Sequence, residues 1–184
     1  MHKAQFSLSW GYIMIHVYFG DGKGKTTAAV GLAARAAGNN MRVMFAQFLK
    51  TDGSGERLSL EKLESVMLTP CPRELKFTFE MDEQEKQQTA NLYRGLFERS
   101  VAAALAQRFD MIILDEIFDA VNEGFLSEAD VFEFIANAPS SMEIVMTGRN
   151  PSERFLDAAD YITEFRKIKH PYDRGVSGRK GIEF

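Results

Sequence analysis

The sequence holds one cysteine in 184 residues, Cys71, which excludes an intrachain disulfide and suits a reducing cytosol. It has no surplus of positive charge. With 22 Lys and Arg against 26 Asp and Glu, the net charge is −4, which argues against a dedicated nucleic-acid binder. Long apolar runs are missing as well: the opening stretch MHKAQFSLSWGYIMI carries one early lysine and supports neither a signal peptide nor a transmembrane helix. The 3 histidines and the lone cysteine form no Cys/His cluster, so neither His16 nor His170 is expected to ligate cobalt or zinc, and His16 reads as a satisfied core histidine. No internal repeat, low-complexity tract or linker composition interrupts the chain. What remains, at 45% hydrophobic content, reads as one cytoplasmic α/β domain over residues 1–184, with residues 1–12 as a flexible tail or lid. Neither a nucleic acid nor a membrane is an expected partner.

The strongest positive signal is GDGKGKTT, Gly20, Asp21, Gly22, Lys23, Gly24, Lys25, Thr26 and Thr27. Before it, residues 13–19 (IMIHVYF) are apolar, β-branched and aromatic, as expected for a buried parallel strand. After it, residues 25–37 (KTTAAVGLAARAA) are Ala-rich and helix-prone. Glycines between a strand and a helix let consecutive backbone N–H groups turn inward around phosphate oxygens, and the helix N-terminus adds partial positive charge at the same place. In such a loop Lys25 reaches the β- and γ-phosphates and the Thr26 hydroxyl ligates Mg²⁺. The run departs from G-x-x-x-x-G-K-[ST], because Phe19 stands where the first glycine belongs. Lys23 adds a second loop lysine.

Strand and helix signals then alternate, the pattern of a doubly wound parallel sheet of the P-loop NTPase-like (RecA-like) kind. A second strand is expected over 42–48, followed by a polar loop over 50–57 on the sheet edge where such folds bind ligands. A short helix over 58–64, a short strand over 66–68 and a loop over 69–80 come next. The longest helical periodicity runs over 82–109, and a buried strand, MIIL, occupies 111–114. That strand ends in Asp115 and Glu116, adjacent carboxylates in the position of a Walker B element, where an acidic side chain holds or orients Mg²⁺ or Mn²⁺. A helix over 127–138 with a capping-box-like Ser127 and Asp130 follows. The strand at 144–147 delivers Arg149 to the ligand edge as a triphosphate contact, with Lys50 and Arg35 as weaker candidates. Pro151 opens another helix, and a last strand spans 161–168.

Taken in order, GDGKGKTTAA, VMFAQFLK, KFTFE, IILDEI, VMTGR, IKHPYDRGV and the terminal KGIEF resemble the ATP:corrinoid adenosyltransferases of the CobA/BtuR type over residues 13–184. The resemblance implies attack by the Co(I) of cob(I)alamin or another corrinoid on the 5′ carbon of ATP, with triphosphate as the leaving group. It implies a homodimer and a flavodoxin-like or flavin reductase as electron donor. It also implies that an aromatic pair wedges beneath the corrin and displaces the lower axial ligand, which eases reduction of cobalt. Phe77 and Phe79 hold the positions of the family's Phe-Thr-Trp, with Phe in place of Trp; from residue type alone, both rings would be core. The residues by themselves leave open a small-molecule kinase or ATPase, and a non-catalytic nucleotide switch or corrinoid carrier.

Overall fold

The computed structural model describes residues 13–76 and 78–183. The elements run β1 (Met14–Phe19), α1 (Lys25–Ala37), β2 (Val43–Gln47), α2 (Gly55–Leu60), β3 (Val66–Leu68), α3 (Glu83–Ala106), β4 (Met111–Asp115), α4 (Ile117–Asn122), α5 (Glu128–Asn137), β5 (Glu143–Gly148), α6 (Glu153–Asp157) and β6 (Tyr161–Glu164). All six strands pair in parallel, in the order β3-β2-β4-β5-β1-β6. The expected P-loop NTPase-like α/β fold is therefore present, with a sheet that is wholly parallel.

Alternation along the strands makes two cores. Val43, Phe45, Met111, Ile113 and Val145 meet Ala29, Ala33 and Ala36 of α1, whose small side chains let the helix lie close to the sheet. Met44, Ala46, Ile112, Leu114, Ile144 and Met146 face the opposite way, onto Tyr93, Leu96, Phe97 and Ala104 of α3. With both faces covered, the central strands β2 and β4 are apolar up to their carboxyl ends, where Gln47 and Asp115 stand, while the edge strand β6 is exposed along its length. Each large side chain fully buried here contributes about 1.5–3 kcal/mol of transfer free energy.

Because every strand points the same way, all carboxyl ends lie on one edge. That edge gathers the loop after β1, Lys50 after β2, Asp115 and Glu116 at the end of β4, Arg149 after β5 and the chain after β6. Since β1 sits between β5 and β6, the loop at 20–24 is flanked by the ends of both.

Three boundaries and one whole helix differ from the sequence reading. The helix read over 82–109 spans Glu83–Ala106: Asp82 and Glu85 form a reciprocal capping box at its start, and Arg108, at φ +54, ends it and turns Phe109 into the core. The loop read over 50–57 contains the start of α2, which buries Arg57 and Leu60. The strand read over 161–168 stops at Glu164, because the Phe165 carbonyl accepts from the Gly22 N–H at 2.7 Å and Asp21 Oδ1 accepts from the Lys167 N–H at 3.0 Å. Helix α4, absent from the sequence reading, begins directly after Glu116. The Ser127 hydroxyl caps α5 through the Ala129 N–H, without the reciprocal arm expected from Asp130. The tail at 1–12 and Phe77 lie outside the described residues.

Candidate active site

The loop between β1 and α1 is held from below by the chain that follows β6. Gly20 has φ +116, and a Cβ on it would stand 2.4 Å from the Phe165 carbonyl oxygen, so both backbone shape and contact demand glycine. Lys25, the first residue of α1, is 7% exposed and folds back over the loop, donating to the Gly20 carbonyl at 2.8 Å and the Gly22 carbonyl at 3.2 Å. Burial pushes its ammonium below the ordinary lysine range, while nearby Glu116 pulls the other way. Lys25 is thus a desolvated cation whose present partners are neutral carbonyls, which an anion can displace.

Beside the loop lies a compact polar cluster. Asp115, at 0% exposure, accepts from the Thr26 hydroxyl at 3.0 Å, the Thr147 hydroxyl at 2.7 Å, the Gln47 amide at 3.3 Å and the Lys50 ammonium at 3.1 Å. Gln47 also donates to Glu56 Oε1 at 2.9 Å, and its own carbonyl oxygen accepts from the buried Arg57 guanidinium at 3.1 Å. Arg57 is held in turn by the Thr69 carbonyl at 2.8 Å and by Cys71 Sγ at 3.2 Å. Burial alone would push Glu56 up, but the adjoining Lys50 holds it below the usual carboxylate range.

Glu116 has the left-handed φ of +62 and lines the cleft; its backbone N–H donates to the Thr147 hydroxyl at 3.0 Å. Burial, a hydrogen bond with Asp119 and the charges of Asp115 and Asp119 push the Glu116 carboxyl up to about 8.

These elements wall a cleft of about 650 Å³. Asp21, Lys23, Thr27, Lys50, Glu56, Glu116, Arg149 and His170 reach it together with Lys25 and Thr26. The volume matches a nucleotide-sized ligand. Near the loop the cleft offers backbone N–H groups, Lys25, Lys23, Arg149 and the N-terminus of α1, donors that suit a polyphosphate, with Asp21 the loop's one carboxylate. On the cluster side the Thr26 hydroxyl and two carboxylates are hard oxygens of the kind Mg²⁺ prefers. Among the described residues there is no group of three His, Cys, Asp or Glu that could hold a metal ion.

The structure brings together Gly20 through Thr27, Asp115, Glu116 and Arg149 as the sequence led us to expect, and with them Lys50, one of the two weaker candidates. It does not bring in Arg35, exposed in the last turn of α1 and roughly 15 Å along the helix from the loop. His16 is half-buried and bound to Glu143 at 2.7 Å, remote from the cleft. Phe79 lies in a 3₁₀ turn, Thr78–Glu80, and at 81% exposure is not a core ring. Sequence reasoning missed Gln47, Glu56, Thr147 and Asp119. Only Gln47 carried a signal, as the single polar side chain inside an otherwise apolar strand.

Residues 12–184 match the model of the family described as ATP:corrinoid adenosyltransferase BtuR/CobO/CobP. The chain is 32% identical over 177 residues to the corrinoid adenosyltransferase of Escherichia coli K12, covering 93% of this chain and 85% of that protein. It is 35% identical over 175 residues to the corrinoid adenosyltransferase CobA of Salmonella typhimurium, with the same coverage. With the corrinoid adenosyltransferase of Pseudomonas aeruginosa it shares 31% identity over 177 residues, 95% of this chain and 84% of that one.

Proposed function

The chain belongs to the ATP:corrinoid adenosyltransferase family, and from that premise we propose how its cleft carries the reaction. The reaction moves the 5′-deoxyadenosyl group of ATP to the Co(I) centre of a corrinoid. The cobalt lone pair forms the bond to C5′, the C5′–O bond breaks, and its electron pair leaves with the triphosphate. No proton needs to be removed from the nucleophile. The protein's task is to hold two substrates in line and to stabilise a highly charged leaving group.

The observation that carries this reading is the convergence of cations on the glycine loop: Lys25 and Lys23 in the loop and Arg149 after β5 all reach the cleft. In our reading the amides of Gly20 to Thr27, with these three side chains, bind the triphosphate. Donors already in place cost no reorganisation when charge develops, and removing one such donor typically costs about 3 kcal/mol of transition-state stabilisation. Lys25 is the strongest of them, being desolvated and held only by neutral carbonyls.

Thr26, Asp115 and Glu116 are the residues that would hold Mg²⁺ or Mn²⁺. When bound, that ion supplies charge neutralisation on the phosphate oxygens. Thr147 and Gln47 orient Asp115 through its two oxygens, so the carboxylate is fixed before any ligand arrives.

For the corrinoid we assign Phe77 and Phe79 as the wedge beneath the ring, displacing the lower axial ligand so that a flavodoxin-like or flavin reductase can deliver the electron that makes Co(I). The exposure of Phe79 on a short turn supports this, since a ring that faces solvent loses water contact when a flat apolar partner covers it. The same reading has residues 1–184 acting as one catalytic domain, in a cytoplasmic homodimer. No helix among the described residues is long and apolar enough to cross a membrane.

The deciding assay mixes the protein with MgATP and chemically reduced cobalamin. Adenosylcobalamin and inorganic triphosphate are expected in equal amounts; ADP with phosphate in their place would overturn the assignment in favour of a kinase or ATPase.

A further inference from the structure

Lys50 follows Leu49, a non-glycine residue at φ +52, and this left-handed step turns the lysine off the line of β2 and into the cluster. Its ammonium lies 3.0 Å from the Thr26 hydroxyl oxygen, 3.1 Å from Asp115 Oδ2 and 3.2 Å from Glu56 Oε1. Three N–H groups meet three oxygens, the full donor capacity of an ammonium. The Thr26 hydroxyl donates to Asp115 and accepts from Lys50, so one of its two lone pairs is taken by the ammonium. Thr26 and Asp115 are two of the groups read above as metal ligands.

We propose that Lys50 is an exchangeable internal counter-ion: its ammonium holds the cation position among Thr26, Asp115 and Glu56 in the empty enzyme, and yields it when the metal–nucleotide complex binds. This inference rests on the reading that Thr26 and Asp115 hold the metal.

The consequence is a filter on what enters. A bare divalent cation meets an ammonium already seated among its oxygens and must displace it against like-charge repulsion in a partly desolvated site. Metal-bound triphosphate carries net negative charge, and gives the displaced ammonium a new partner within the same cleft, which Lys50 lines. The site therefore prefers the complex to the free ion. Glu56 and Gln47 keep the arrangement poised: Gln47 donates to Glu56 and to Asp115 at once, fixing the two carboxylates that share the ammonium.

The test is a Mn²⁺ titration of the full chain, followed by the electron paramagnetic resonance signal of free Mn²⁺, with and without inorganic triphosphate. The variants are K50M, K50R and D115N, with K50Q in place of K50M if thermal melting shows K50M to be unfolded. Bare Mn²⁺ is expected to bind K50M about tenfold more tightly than wild type, K50R like wild type, and Mn²⁺–triphosphate to bind K50M more weakly. An unchanged affinity of K50M for bare Mn²⁺, or for Mn²⁺–triphosphate, overturns the exchange. If D115N binds Mn²⁺–triphosphate as wild type does, the metal reading itself falls and the exchange with it.

Discussion

The carboxylate of Asp119 accepts a 2.8 Å hydrogen bond from the main-chain N–H of Arg149, so the first turn of α4 grips the chain where β5 ends. Asn122, one turn on, donates to the Arg149 carbonyl at 2.9 Å. Both sides of the Arg149 backbone are thus fixed from the helix that follows Glu116, and the guanidinium is presented to the cleft by a rigid stem.

Asp119→Ala should therefore act through Arg149. We expect its KM for ATP to rise about tenfold, the scale set by a misplaced binding group. Arg149→Ala should do the same, and the double variant should lose little more than either single one, because the two changes remove one function. Steady-state kinetics of the four proteins checks this; fully additive losses would mean that the contacts are independent.

Gly148 has φ +144, and a Cβ there would stand 2.6 Å from Asp119 Oδ2 and 2.8 Å from Phe118 Cβ. Gly148→Ala should destabilise the fold by about 2–4 kcal/mol and disturb the Arg149 stem as well. Urea denaturation followed by circular dichroism measures the first effect.

Lys25→Met should lower kcat by roughly two to three orders of magnitude, the usual cost of losing a preorganised donor at developing charge. Stability should hold or rise slightly, because a buried ammonium with neutral partners is replaced by an apolar side chain of similar length. A variant with intact fold and wild-type turnover would remove Lys25 from the leaving-group site.

Glu116 makes a pH prediction for the ligand-free protein. Its folded carboxyl is raised to about 8 from an ordinary value of 4.5, so between those values the folded state binds a proton that the unfolded chain has released. That contribution to stability is complete below about pH 4.5 and disappears as pH climbs through 8. In EDTA, the free energy of unfolding should fall over this window by several kcal/mol, and E116Q should flatten the slope. An identical slope in E116Q would assign the effect to other groups.

For the corrinoid side, Phe79→Ala should slow adenosylation most when cobalamin is supplied as Co(II) with a reducing system, and least when Co(I) is prepared chemically. Phe79→Trp should retain or improve the first rate. Equal loss in both assays would make the ring a binding contact alone.

The phosphate loop and α1 were legible because one local signal, apolar run then glycines then an alanine-rich helix, specified them, and β2, β4 and β5 because each is a short apolar run bounded by polar residues. Strand β3 was read at 66–68 and stands there. What stayed hidden depends on distant partners. Helix α2 begins earlier than its sequence suggests because buried Arg57 is bound to Gln47 and Thr69, 10 and 12 residues away. The end of β6 is dictated by the loop at 20–22, across more than 140 residues of chain. Glu56, Thr147 and Asp119 are ordinary polar residues in sequence, and only the convergence of strand ends places them beside Asp115 and Arg149.

The placing of β1 also bears on how the molecule comes into being. Its neighbours in the sheet are β5 and β6, and Met14 pairs with Glu143, a partner about 130 residues later in the chain. On a ribosome adding about 5–20 residues per second, the strand that carries the phosphate loop waits roughly ten seconds for the segments that flank it. The nucleotide cradle is thus among the last parts of the protein to take shape, and a chain cut short before β5 has the loop's full sequence but no wall to build it against.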